Sequence, residues 1–94
     1  MLTANLAKQL QQSDYSFTTL PDGSAVMLDL HGESVLTFNG TAAFMLACLR
    51  EGDGEAAIAE KVMRKYAVDA ATVEADVTDF VVELAQAVGL GAED

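Results

Sequence analysis

Few residues in this chain are of the types that do chemistry. His31 is the single histidine and Cys48 the single cysteine. Acid–base catalysis needs a partner group within hydrogen-bond reach of the histidine. No residue near His31 in the sequence is marked out for that role, so it reads as a solvated turn residue. Cys48 lies between Ala47 and Leu49, where a lone thiol reads as a packing residue and not as a nucleophile. One cysteine also rules out an internal disulfide and any CxxC motif. Asp76, Asp79 and Glu83 could face a cation together. With no EF-hand-like loop and no histidine ligand nearby, they read as the solvated face of a helix. There is no P-loop, no GxGxxG after a strand and no serine elbow. The expectation is a protein that is not an enzyme and needs neither cofactor nor metal.

The elements that carry these residues are those of one small domain. Ninety-four residues support a single modest core with little room for a deep active site. Half of them are hydrophobic, with four Phe, two Tyr and no Trp, which suits a packed core and not a disordered chain. The N-terminus has no charged start followed by an apolar run, and no stretch approaches the roughly 20 apolar residues that span a bilayer. A cytoplasmic protein is expected. Residues 1–14 read as an arm or short helix, because Leu2, Leu6 and Leu10 repeat at helical spacing. Residues 15–90 form the domain, and 91–94 a frayed tail.

Tyr15 to Leu20 is aromatic and β-branched and reads as a first strand. Pro21-Asp22-Gly23 supplies a turn into a second strand over 25–30. His31-Gly32 is expected as a two-residue hairpin loop, and 33–38 as the third strand, with Ser34, Leu36 and Phe38 on one face and Val35 and Thr37 on the other. Asn39 or Thr41 caps a helix over 40–50. Asp53 is expected to cap a second helix over 54–66, which turns Ile58, Val62 and Tyr66 inward. Lys61, Arg64 and Lys65 in its last turns complement the helix dipole. Asp69 caps a third helix over 70–88, with Val68 stapled on Val73. Its apolar stripe leaves Val82 on the opposite side, exposed. Leu28, Leu36, Phe38, Met45, Leu49, Ile58, Val62, Val77, Phe80 and Leu84 are the expected core. The fold class is therefore α+β: a three-stranded antiparallel sheet followed by three helices, with a winged helix-turn-helix-like layout.

That layout suggests DNA, but the charge opposes it. The net charge is −10, and no Lys or Arg follows Lys65. The last helix, which would enter the groove, carries Glu74, Asp76, Asp79 and Glu83 and no cation, so it repels phosphate. Neither nucleic acid nor an anionic membrane suits such a surface. A different use fits better. An open sheet edge can accept an extended peptide as a further strand, with an adjoining helix as the second wall. The third strand and the last helix are the natural pair.

At these residues the sequence resembles the PqqD-like family, peptide chaperones also described as RiPP recognition elements. The matching features are Met27-Leu28-Asp29 in a strand, Phe38-Asn39-Gly40-Thr41 at a helix start, Asp76-Val77 with Phe80 and Leu84 in the last helix, and Gly89-Leu90 at its end. They cover about residues 24–90, and their order and spacing together are more specific than any one of them. The resemblance implies a non-catalytic domain that binds the leader segment of a ribosomally made precursor peptide. It would present that leader to a modifying enzyme, often a radical SAM enzyme, as in pyrroloquinoline quinone or related biosynthesis. It implies Ser34, Val35, Leu36 and Thr37 on the backbone-pairing side, and Asp76, Val77, Phe80 and Val81 in the helix wall or its support. The runner-up is a protein-interaction domain of the same fold that binds no leader.

Overall fold

The computed structural model describes residues 2–12, 14–30 and 33–89. The element order is α1 (Leu2–Leu10), β1 (Tyr15–Thr19), β2 (Ala25–Asp29), β3 (Ser34–Phe38), α2 (Gly40–Arg50), α3 (Glu55–Tyr66) and α4 (Ala70–Ala87). The three expected strands and three expected helices all form. Of the two readings of the N-terminus, the helix holds. Leu6 and Leu10 are fully buried, and α1 packs against α2 and α4. The Gln9 amide donates to the Val88 carbonyl oxygen at 2.9 Å and to the Tyr15 hydroxyl at 2.9 Å, tying the first helix to the end of the last and to β1.

The sheet is antiparallel in the order β1-β2-β3, so β2 is central and β3 is an edge. Between β1 and β2, Gly23 donates its N–H to the Leu20 carbonyl and adopts φ +91°. This is a three-residue hairpin with glycine in the left-handed position. Asp22 accepts from the Ser24 hydroxyl and backbone N–H, which holds its carboxyl below the usual range. The β2–β3 register pairs Asp29 with Ser34 and Val26 with Thr37. That register is centred on 31 and 32, and the expected turn at His31-Gly32 itself lies outside the described residues, as do 91–94.

Register also sets which residues enter the core. Phe17, Met27 and Leu36 stand opposite one another across the three strands and share the face that the helices cover. Met27 is fully buried and Leu28 is 37% exposed, so the expected burial of Leu28 is corrected. Successive strand residues face opposite sides, and this pairing turns Leu28 to the outer face beside Val35. Leu36 and Phe80 are only partly buried, because both stand at an open flank. Phe38, Met45, Leu49, Ile58, Val62, Val77 and Leu84 are core, and Val82 is exposed, as expected.

Helix starts are settled by side-chain oxygens. Asn39 is the N-cap of α2, accepting from the Ala42 N–H at 2.9 Å. Asp69 caps α4, and its bonds from Thr72 lower its pKa. The expected cap by Asp53 is corrected. Gly54 occupies the N-cap position of α3 without a side-chain bond, and Asp53 instead accepts from Lys61 Nζ at 2.6 Å. Tyr66, expected inward, is 37% exposed and lies edge-on to Phe44 at the end of α3.

Candidate peptide-binding cleft

Strand β3 presents one side of its backbone to β2 and has no fourth strand on the other among the described residues. Its alternation sends Leu36 and Phe38 toward α4 and leaves Val35 64% exposed on the outer face. Between β3 and α4 runs a cleft of about 290 Å³, lined by Leu36, Thr37, Phe38, Ala42, Phe80, Glu83 and Leu84. Its floor is an aromatic pair. The Phe38 and Phe80 rings meet edge to face with centroids 6.2 Å apart, a geometry the ring quadrupoles favour.

Helix α4 forms the wall because Asp76, Phe80 and Glu83 recur along one of its faces. The eight residues implied as a peptide site do not all open on this cleft. Ser34, Val35, Leu36 and Thr37 lie on the edge strand, and Leu36, Thr37 and Phe80 line the cleft. Val77 and Val81 are 1% and 0% exposed, so they support the wall from beneath. Asp76 and the edge of Val77 open on a neighbouring hollow of about 360 Å³, shared with Thr41, Met45, Tyr66 and Val68. Ala42 is the lining residue that sequence reasoning missed. A small residue on α2 carries no mark of lying beside β3 until the helix is docked. Phe38 and Leu84 were read as core alone, whereas each also shows an edge to the cleft.

The cleft has an apolar base and an acidic rim. Glu83 lines it, Glu33 is exposed just before β3, and Asp79 is exposed on the next turn of α4. Such a channel suits an extended backbone with apolar anchors. Its lining holds no His or Cys, and among the described residues no cluster of His, Cys, Asp and Glu could hold a metal ion. A larger hollow of about 440 Å³ between α3 and α4 is lined by Glu55, Glu60 and Glu74 and has no strand edge, so it cannot extend the sheet. Among the described residues no helix is long and apolar enough to cross a membrane.

Comparison with known proteins places the family and the fold. The family model of coenzyme PQQ synthesis protein D (PqqD) matches residues 24–88, which include all of β2, β3 and the three helices after them. Two solved structures share the fold. One is TbiB1 in complex with the TbiA(beta) leader peptide, 24% identical, covering 88% of this chain and 95% of that one with a TM-score of 0.77. The other is a lasso peptide synthetase B1 complexed with the leader peptide, 25% identical, covering 80% of this chain and 87% of that one with a TM-score of 0.70. No curated protein matches the chain in sequence.

Proposed function

Because this chain belongs to the PqqD family, we propose that it is a peptide chaperone that binds the leader segment of a ribosomally made precursor and presents it to a modifying enzyme. The observation that carries this reading is the pairing of an open strand edge with an apolar cleft. The β3 backbone offers ladder hydrogen bonds, and the Leu36, Phe38 and Phe80 surface takes alternate side chains of the added strand. The leader complexes formed by the two solved structures support it. In this reading Ser34, Val35, Leu36 and Thr37 pair with the leader, Phe80 touches it, and Asp76, Val77 and Val81 hold or border the wall. The domain itself does no chemistry. Its enzyme partner is of the kind that modifies ribosomal peptides, a radical SAM enzyme being one such class, and its place is the cytoplasm.

The acidic rim adds a requirement on the ligand. Complementary charge speeds encounter and selects among partners, so the cognate segment carries apolar anchors and at least one Lys or Arg. Calorimetric titration with synthetic leaders tests the reading. The expected result is micromolar or tighter binding that weakens as salt rises and weakens again when proline replaces a central leader residue, since proline removes a ladder donor. A leader that binds with no salt dependence and tolerates the proline refutes both the charge and the strand-addition parts. No binding to any candidate leader favours an interaction domain of another kind.

A further inference from the structure

We infer that the opposite flank of the sheet, at the β1 edge, is a second docking surface, and that its occupant is an acidic, aromatic-bearing segment of a partner protein. The chain has only five basic residues. Four of them, Arg50, Lys61, Arg64 and Lys65, line two adjoining hollows of about 340 and 440 Å³ that share Phe44 and Lys65. Three rings lie among them. The Arg50 guanidinium carbon stands 3.7 Å from the centre of the Phe17 ring. Lys65 Nζ lies 5.3 Å from the Phe44 ring centre and 5.6 Å from that of Tyr66, and the two rings meet edge to face at 6.0 Å.

Helix-dipole compensation explains why cations end α2 and α3. It does not explain why cations from two helices converge on rings from β1, α2 and α3. Lys61 is paired with Asp53 at 2.6 Å and Arg64 with Glu60 at 3.5 Å. Arg50 and Lys65 have no carboxylate within ion-pair distance among the described residues, although the chain carries 15 acidic residues. A guanidinium stacked on a ring still directs its N–H fork outward in its own plane, where a carboxylate can be held by two hydrogen bonds. The hollow beside it, bounded by Phe17 and Phe44, fits a ring or branched apolar side chain; the one carboxylate on its lining, Asp22, accepts from Ser24 and lies beyond ion-pair distance of Arg50 and Lys65. The net charge of −10 opposes a long polyanion, so the match is a short run of carboxylates around an aromatic residue.

This surface does not compete with the leader cleft. Phe17 on β1 and Leu36 on β3 are separated by Met27 on β2, which places the two edges two strand spacings, about 10 Å, apart. A peptide added outside β3 leaves the β1 flank open, so both sites can be filled together.

The probe is a short synthetic peptide of Asp and Glu around a central Phe, titrated into the full labelled chain by NMR, with its Lys-substituted counterpart as control. Expected are shifts confined to residues around Phe17, Phe44, Arg50, Lys65 and Tyr66, lost at high salt and absent with the control. R50E/K65E is expected to weaken the acidic peptide about tenfold or more and to leave leader affinity unchanged. K65E alone, at an exposed position, serves if the double variant melts early. Shifts at β3 and α4, no shifts at all, or tighter binding of a single-stranded oligonucleotide at the same residues would each overturn the inference. So would concentration-dependent self-association abolished by R50E/K65E, which would make a second copy's acidic α4 the occupant. Failure of leader binding alone leaves the β1-edge result standing, so the two readings fail separately.

Discussion

Phe80→Ala and Val81→Ala, adjacent in α4, separate the wall of the cleft from what holds it up. Phe80 is partly buried and meets Phe38 edge to face at 6.2 Å. Full burial would make its truncation cost about 3–5 kcal/mol. Because part of the ring lines the cleft and stays in water, the expected loss is about 2 kcal/mol, of which about 0.5–1.5 kcal/mol comes from the aromatic pair. Val81 is 0% exposed. Removing its two methyl groups forfeits about 1.6 kcal/mol of transfer free energy, and the remaining cavity brings the total to about 2 kcal/mol. The two variants should therefore show similar midpoint shifts in urea. They should differ in binding. Only Phe80→Ala deletes cleft surface, and loss of a central aromatic contact worth about 1.5–2 kcal/mol weakens a leader roughly 10- to 30-fold. Val81→Ala should leave the Kd within about threefold, less than 1 kcal/mol. Fluorescence polarisation with a labelled leader, at a temperature where both variants are folded, reads the difference. Equal weakening by the two, or none by Phe80→Ala, would refute the assignment of this cleft. A stability loss under about 0.5 kcal/mol for Phe80→Ala would refute the packing argument.

Two further outcomes test the core. Met27→Ala should cost about 2–5 kcal/mol as a large-to-small change at a fully buried site, whereas Leu28→Ala should cost under about 1 kcal/mol because Leu28 faces out; denaturant melts in which Leu28→Ala is the costlier would mean the β2 register is shifted by one. Burial raises the Cys48 pKa above that of a free thiol, so its contribution to stability is fully present below the unfolded thiol's value, near 8.5, and is lost as pH rises through the folded value; a Cys48→Ala variant whose stability falls just as steeply as pH rises above about 8.5 would show that the thiol is not responsible.

Much of the architecture could be read from local pattern. Alternation in Ser34–Phe38, the Pro21-Asp22-Gly23 turn and the capping side chain of Asp69 each depend on a few neighbouring residues, and neighbours in sequence are what backbone geometry couples directly. The position of Val82 opposite the core stripe followed from helical period alone. Docking settled the rest. In Ala25–Asp29 four consecutive apolar residues leave a period of two without a signal. The phase that buries Leu28 was expected, and it was overturned when Met27 paired with Phe17 and Leu36 and turned Asp29, 8% exposed, to the inner side. Asn39 and Thr41 were equal candidates for the α2 cap, and the geometry of the chain leaving β3 chose Asn39. Leu2, Leu6 and Leu10 announced an amphipathic face but not what would cover it, which came from α2 and α4. The placing of Ala42 beside Phe80 on one cleft, and of Arg50 over Phe17, joins residues far apart in sequence. Such contacts form only where separate elements bury a common surface, and no local periodicity encodes which surfaces those will be.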